Sequence, residues 1–398
     1  MLLAQSNYSF YNRYGLGLLS PSSFSEGLAD ASEYDLRLVN PAVLSNLTLT
    51  GLSIGAQLNQ NWANFQGNST FQPAMNFHHL AFSFPIVANR WGTSFAFLPY
   101  SSADYEYTTS EGSSAEFQLA KVQGLGGVAQ VTWQQGWLLR PNFSFGLGIN
   151  YLFSGFSRTH ILNFPNLVNS LATRLEDRTS LNAFKYDLGL LYTRHLSENL
   201  DLNLAFTYSP RFAMNFEKDN LRTSYEQSTE TVYDTLFFGR TKNKQNIADA
   251  FAFGWQLKKE NAWQWHTDMS FQDWSKFSYN APQEGFVAQY LFSSVFTFLP
   301  KANPLQYSQS MRYHLGSKFQ RHYIRLNGDE VLDWSFLFGF SMPLKYNKEV
   351  PQGHTVFHFN FTYGLRGFNR VNLIKENYFN LLVYVTVNEK WFKKRKID

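Results

Sequence analysis

The sequence has no cysteine, few charged residues and no long apolar run. Without cysteine it can form neither a disulfide framework nor a thiolate metal site, which suits a chain that crosses an oxidising compartment unfolded. Charged residues are only 16% of 398, too few for the surface of an ordinary cytosolic enzyme. Uninterrupted apolar runs of about 18 residues, which membrane-spanning helices need, are absent. A net charge of +4 is small and argues against a nucleic-acid partner.

Aromatic residues are abundant instead. The chain has 39 Phe, 22 Tyr and 10 Trp, 18% of its length. Aromatic side chains at this density bury too much apolar surface for a disordered chain. The composition therefore predicts an all-β chain with finely interleaved apolar and polar residues.

Strict alternation of apolar and polar residues is the clearest pattern. In 199–209, leucines and aromatics alternate with Asp201, Asn203 and Thr207. Similar runs of about ten residues, the length of a transmembrane strand, recur elsewhere: Phe143–Phe153, Phe251–Leu257, Trp263–Phe271, Trp334–Phe340 and Phe357–Tyr363. A soluble sandwich also alternates, but the polar face here could not form its core. The pattern favours an antiparallel transmembrane β-barrel with aromatic side chains toward lipid and polar side chains, such as Asn150, toward the lumen.

Connections of alternating length predict the topology. Short turns alternate with longer segments, as periplasmic turns and extracellular loops do in outer-membrane barrels. From a first strand near Leu49–Asn59 to a last strand at Tyr378–Asn388 we count about fourteen strands. The weakest is Phe286–Phe298. The expected location is the outer membrane of a Gram-negative bacterium, with both termini periplasmic. The longest predicted loops are Asn61–Gln72, Ser101–Ala115, Gly155–Ala183, Asn215–Asn246, Gln320–Val331 and Arg366–Asn377.

Three regions follow from this count. Residues 1–46 are interpreted as a plug that fills the lumen, because the aromatic residues Tyr8, Phe10, Tyr11 and Tyr14 would not stay solvated. A periplasmic tail is the alternative. Residues 47–392 form the barrel and 393–398 a basic tail. The first five residues resemble the end of a signal peptide, so processing near Gln5 or a truncated start is expected.

One predicted loop contains a helical pattern. Apolar residues with helical spacing predict an amphipathic helix of about three turns on the outer surface. This helix either packs on another loop or offers an apolar patch to a ligand. Its stripe is Phe164, Leu167, Val168, Leu171 and Leu175.

Several motifs suggest chemistry but have simpler explanations. Gly124–Ala129 fits a dinucleotide fingerprint, yet a strand pattern continues where a helix should begin, so the glycines indicate curvature. His78 and His79 should point to opposite faces and cannot chelate one metal. His266, Asp268 and Ser270 share a luminal row, which does not by itself place a base beside a nucleophile. We therefore predict no enzyme activity, no metal and no cofactor.

Pro99 falls in the third predicted strand. Proline removes a hydrogen bond from the strand ladder, so an interior strand must bulge or break at this position. Alternatively, the strand ends here, at the outer membrane surface.

These features resemble the FadL-type outer-membrane transporters for long-chain fatty acids and other hydrophobic compounds. Asn40-Pro41-Ala42 is similar to the family's N-P-A signature at the junction of plug and barrel. A plug followed by about fourteen strands matches its architecture. The terminal Trp391–Asp398 is similar to the ending of distant members.

The resemblance implies a transport route. Outward loops, here the 164–175 helix, would capture an apolar ligand. The ligand would pass into a luminal pocket beside the plug, where Tyr8, Phe10 and Tyr11 lie, and leave sideways into membrane lipid at a third strand distorted at Pro99. No cationic residue of the chain is assigned to bind the carboxylate of a ligand. A fatty acid, a hydrocarbon and a lipid fragment therefore all remain candidate ligands.

The alternative function is a FadL-like structural or secretion-machinery subunit that binds a protein partner and does not transport. Such a partner would contact the barrel within the membrane or through the charged segment Asn215–Asn246.

Overall fold

The computed structural model describes residues 9–20, 27–30, 38–65, 68–111, 118–163, 171–226, 231–301, 305–344, 355–368, 370 and 373–389. Strands dominate these residues, with short 3₁₀ helices at Phe10–Arg13, Pro41–Asn46 and Tyr307–Ser310. None of the described helices has the length and apolar character that a membrane span requires. The strands are β1 (Leu18–Leu19), β2 (Thr50–Phe65), β3 (Asn68–Val87), β4 (Trp91–Ser102), β5 (Tyr105–Glu111), β6 (Gln118–Arg140), β7 (Phe143–Asn163), β8 (Ala172–Ser197), β9 (Leu200–Ser209), β10 (Phe212–Tyr225), β11 (Val232–Ile247), β12 (Ala250–Lys259), β13 (Trp263–Asp273), β14 (Ala288–Phe298), β15 (Arg312–Leu326), β16 (Asp329–Pro343), β17 (Thr355–Arg366) and β18 (Lys375–Glu389).

Fourteen of these strands close into an antiparallel barrel. They are β2–β4, β6–β9 and β12–β18, and the barrel closes where β18 pairs with β2 from Lys375↔Asn64 to Glu389↔Thr50. The predicted all-β antiparallel barrel and its strand count are confirmed. β14, the weakest predicted strand, pairs with both β13 and β15.

The two faces of the wall differ as the alternation predicts. On β12 and β13, Phe253 and Trp265 are exposed on the outside, whereas Gln256, His266 and Asp268 are buried inside. Outward aromatic side chains suit contact with lipid, while inward polar groups find hydrogen-bond partners within the barrel.

The strands on the long-loop side are longer than expected. Most of the predicted loop Asn215–Asn246 is instead the hairpin of β10 and β11, which continue β9 and β12. β8 pairs with β9 at one end and with β10 at the other. The loops predicted at 61–72, 155–183 and 320–331 are also largely strand. The alternation of apolar and polar residues does not predict these strand ends, because they carry polar residues on both faces.

The predicted helix is wrong where the structure describes it. Ala172–Leu175 begins β8, and Leu175 pairs with both His160 and Arg222. Ladder partners on both sides satisfy the backbone in an extended form, which overrides the helical spacing. Phe164, Leu167 and Val168 lie outside the described residues.

Candidate functional site at the barrel wall and lumen

A gap lies between the second and third strands of the barrel. β3 pairs with β4 from Leu80↔Phe97 to Val87↔Trp91. Beyond this point, within the described strands, Asn68–His79 pairs only with β2, and β5 pairs only with β6. One hydrogen bond that crosses the gap runs from Gln72 Nε2 to the carbonyl oxygen of Glu106, at 3.3 Å. The wall therefore has two separated strand edges on its long-loop side.

Pro99 lies at the start of this distortion. It is inside β4, so the alternative that the strand ends there is wrong, and the register with β6 shifts between Pro99 and Ser101. After the shift, β4 pairs with β1 instead of β3: Leu18 lies opposite Ser102, and Ser20 N donates to the Tyr100 carbonyl oxygen at 2.9 Å. Leu18–Ser20 of the N-terminal segment therefore cover the edge of β4, the third strand of the barrel, where β3 no longer pairs with it.

The two adjacent histidines do not point to opposite faces. A β-bulge shifts the register of β3, so that Gly55 faces His79 while Ala56 faces Phe77. Both histidine rings line the luminal cavity, and their Nδ1 atoms are 2.7 Å apart. His79 Nε2 also lies 2.8 Å from Ser53 Oγ. Among the described residues no group of three or more His, Asp or Glu side chains could hold a metal.

The luminal cavity beside the gap is polar. It has a volume of about 380 Å³, and Phe77, Leu98 and Pro99 lie at its gap side. Its remaining lining is mostly amides, hydroxyls and charged groups, which an apolar molecule would have to desolvate. The charged groups are Lys185, Asp187, Lys318, Asp333 and Arg366.

A buried ionic network ties the N-terminal segment to the barrel wall. Arg366 bridges Asp333 at 2.9 Å and Glu376 at 2.8 Å. Glu376, which is fully buried, also accepts hydrogen bonds from Ser9 Oγ at 2.7 Å and from Phe10 N at 2.7 Å. Ion pairs with this many hydrogen bonds offset the cost of burying charge.

Asn40, Pro41 and Ala42 form a second attachment. Asn40 caps the 3₁₀ helix Pro41–Asn46 by accepting from Ala42 N at 3.0 Å, and its amide donates to the Leu28 and Leu190 carbonyl oxygens. The helix packs on β4, β6, β7 and β8. A Cβ at Gly146 or Gly189 would overlap the motif, so those glycines permit the close approach.

Aromatic side chains pack together at the long-loop end of the lumen. Segment 274–287 contributes Trp274, whose ring lies 4.7 Å from Tyr323, and Tyr279, whose ring lies 4.4 Å from Phe216. Tyr11 and Leu16 of the N-terminal segment belong to the same buried cluster. An apolar layer therefore separates the polar cavity from the hairpins on the long-loop side.

The β10–β11 hairpin carries an exposed strand edge. Within the described residues, β11 pairs with β10 alone. Apart from the buried Ile247, its apolar residues are strongly exposed, with Tyr233 at 78% and Phe238 at 60%. Closer to the barrel, Arg240 binds Asp219 through Nε at 2.7 Å and Nη2 at 3.0 Å. This hydrogen bond and the positive charge lower the pKa of Asp219.

Comparison with known proteins gives the family. The family model described as BamG matches residues 1–398. This chain belongs to the BamG family. No curated protein sequence matches it.

The fold of this BamG-family chain is that of the predicted FadL type. A Pseudomonas aeruginosa FadL homologue has a TM-score of 0.57 at 9% identity, covering 98% of this chain and 100% of its own. The Pseudomonas putida toluene transporter TodX has a TM-score of 0.58 at 12% identity, covering 93% of this chain and 97% of its own. The chain folds as a barrel of this kind, although the family whose model matches is BamG.

The structure does not bring the predicted ligand-binding residues together where it describes them. Phe10 packs on Tyr107, and Tyr11 is fully buried with its hydroxyl donating to the Ile374 carbonyl oxygen at 2.6 Å. Leu171 is exposed and immediately precedes β8, so it is distant in sequence from Phe10 and Tyr11. Tyr8 lies outside the described residues. Asp268, in the luminal row, accepts a hydrogen bond from Leu28 N at 3.2 Å and so positions the backbone at Leu28.

Sequence reasoning missed the network, the bulge and the aromatic cluster. Arg366, Asp333 and Glu376 lie on three strands, and nothing local indicates that they meet. The aromatic content of segment 274–287 was the one available signal, because a solvated loop does not need Trp274, Phe277, Tyr279 and Phe286.

Proposed function

We propose that this barrel is a docking subunit of the outer membrane, which holds a protein partner through the β10–β11 hairpin. The observation that supports this proposal is β11, a strand of 16 residues that pairs with β10 alone among the described strands, which leaves its second edge without a ladder partner there. Natural proteins normally shorten, charge or cover such edges, because an open ladder recruits other strands. A long edge with exposed aromatic residues fits a partner that adds a strand to it.

The lumen supports the same function. Its cavity is lined by charged and polar side chains, and aromatic residues pack above it. We also propose that residues 1–46 act as a plug, because described parts of that segment bind Glu376, Asp268 and the β4 edge. A lumen filled in this way favours a structural role over passage of apolar molecules.

Charged substitutions on β11 test the docking role. Tyr233→Glu with Phe238→Glu should dissociate the partner, because each replaces an apolar contact worth roughly 1.5–3 kcal/mol. The measurement is blue-native electrophoresis of membranes extracted in mild detergent, where the variant should migrate as the lone barrel.

The matched control is Leu305→Glu, which changes a 93% exposed residue at the short-turn end. It should leave the larger complex intact. A parental chain that always migrates alone, or a β11 variant that keeps the complex, would contradict docking through this strand.

Transport of hydrophobic small molecules with lateral release is the second candidate. Phe77 favours it, since this side chain lines both the luminal cavity and a groove on the outer wall, on either side of the gap. Pro99 would then be the lateral-gate residue. TodX, which shares the fold, is described as a toluene transporter.

A cross-link across the gap tests transport cleanly, because the chain has no cysteine of its own. Gln72→Cys with Glu106→Cys should, once oxidised, stop uptake of labelled toluene, and reduction should restore it. Leu80→Cys with Phe97→Cys, where β3 and β4 already pair, is the control and should leave uptake unchanged. Equal uptake by the oxidised gap variant and its control would exclude this route.

A further inference from the structure

The outer wall carries a groove of about 910 Å³, the same groove that Phe77 lines beside the gap. Its floor is formed by outward positions of β6 and β7, where Gly127 pairs with Gly155 and Ala129 pairs with Phe153. The small residues create a hollow in an otherwise aromatic surface. Phe77 and Phe97, with rings 5.4 Å apart, form the side nearest the gap. We call this hollow the outer groove.

The opposite side of the outer groove is ionic. Arg178 and Ser180 of β8, Glu217 and Asp219 of β10 and Arg240 of β11 line it. These strands extend beyond the ten-residue membrane-crossing strands β9 and β12, so the ionic side lies at the headgroup level. The Arg178 and Arg240 side chains keep 67% and 55% of their surface exposed, although each already binds a carboxylate.

We propose that the outer groove binds one phospholipid whose headgroup carries both a phosphate and an ammonium. The acyl chain lies over Gly127, Ala129 and Gly155, where its burial replaces exposed apolar wall. The phosphate receives guanidinium hydrogen bonds from Arg178 and Arg240. The ammonium lies against Glu217 and Asp219.

Three properties distinguish this site from ordinary wall lipid. The groove volume is within the usual range of small-molecule sites. Its polar groups stand at one end of an apolar hollow, which matches an amphiphile with one headgroup. Its charges include both signs, which matches a zwitterion better than an anion. The inference does not depend on the docking proposal, because the docking residues Tyr233 and Phe238 do not line the groove.

Filling the hollow gives the first test. Ala129→Phe should weaken binding of palmitoyl-oleoyl phosphatidylethanolamine to the full chain by about tenfold, measured by native mass spectrometry during a lipid titration. Val131→Phe is the matched control, since Val131 lies two residues along the same outward face, is 46% exposed and does not line the groove. It should bind lipid like the parental chain.

Removing the charges gives the second test. Arg178→Gln with Arg240→Gln should weaken phosphatidylethanolamine binding by about tenfold and leave diacylglycerol binding unchanged. The control is Arg211→Gln, an exposed arginine outside the groove. Parental-level binding by Ala129→Phe would overturn the site. Equal affinity of the parental chain for phosphatidylethanolamine, phosphatidylglycerol and diacylglycerol would overturn the headgroup assignment.

Discussion

Glu376 is the residue that most strongly fixes the N-terminal segment. Its buried carboxylate accepts from Ser9 and from Phe10 N and pairs with Arg366. Glu376→Gln should destabilise this attachment by about 3 kcal/mol, because a buried cation loses one of its carboxylates. Hydrogen exchange at the Phe10 amide should then accelerate by about 100-fold.

A second ion pair provides the control for that measurement. Glu330 pairs with Arg321 at 2.8 Å but is 40% exposed, so Glu330→Gln should cost no more than about 1 kcal/mol. Unchanged exchange at Phe10 in the Glu376 variant would show that the network does not hold the segment.

Single residues also mark the limits of sequence reasoning. Asn40 and Pro41 are identifiable, since a capping side chain followed by proline is a local signal. The His78 bulge is not, because one extra residue in a strand depends on the register of its neighbour. Asn150 is recognisable as luminal, but its bonds to Thr132 and Asp187, both at 2.7 Å, depend on pairing across three strands.

At the scale of elements, β1 is the contact that covers the open edge of β4. Gly17, just before it, has φ +83°, and a Cβ there would overlap the Ser102 carbonyl oxygen. Gly17→Val should therefore displace β1 while the barrel stays closed. Hydrogen exchange should show loss of protection at the amides of Leu18–Ser20.

Gly328 provides a control that separates backbone strain from steric overlap. It has φ +80° in an open turn, where a Cβ would have no neighbour within 4 Å, so Gly328→Val introduces the backbone strain alone. This control should leave Leu18–Ser20 protected. The same protection in both variants would mean that β1 does not depend on this close approach.

The strands that cross the membrane are predictable from the sequence, and their extensions are not. β9 and β12 alternate because one face meets lipid and the other the lumen. β10 and β11 lie beyond the hydrocarbon layer and lack that contrast, so their charges resemble those of a loop. For residues 172–175 the apolar spacing is typical of a helix and predicts one, but these residues lie in a paired strand.

The whole barrel combines a polar lumen with an open strand edge outside the membrane. Closure by β18 and β2 joins the two ends of the sheet, so the edges left within the wall are those at the gap between β3 and β4. The edge of β11 remains. A closed wall with one long edge above it is the arrangement expected of a membrane anchor for another protein.

Site-specific photo-cross-linking along β11 in intact cells shows whether another protein docks on this strand. A photoreactive side chain at Tyr233, Leu236 or Phe238 should form an adduct with one protein of constant mass. The same group at Phe253, exposed on the membrane-crossing part of the adjoining β12, should form none. Absence of a protein adduct at all three β11 positions, or the same adducts from Phe253, would contradict the docking function.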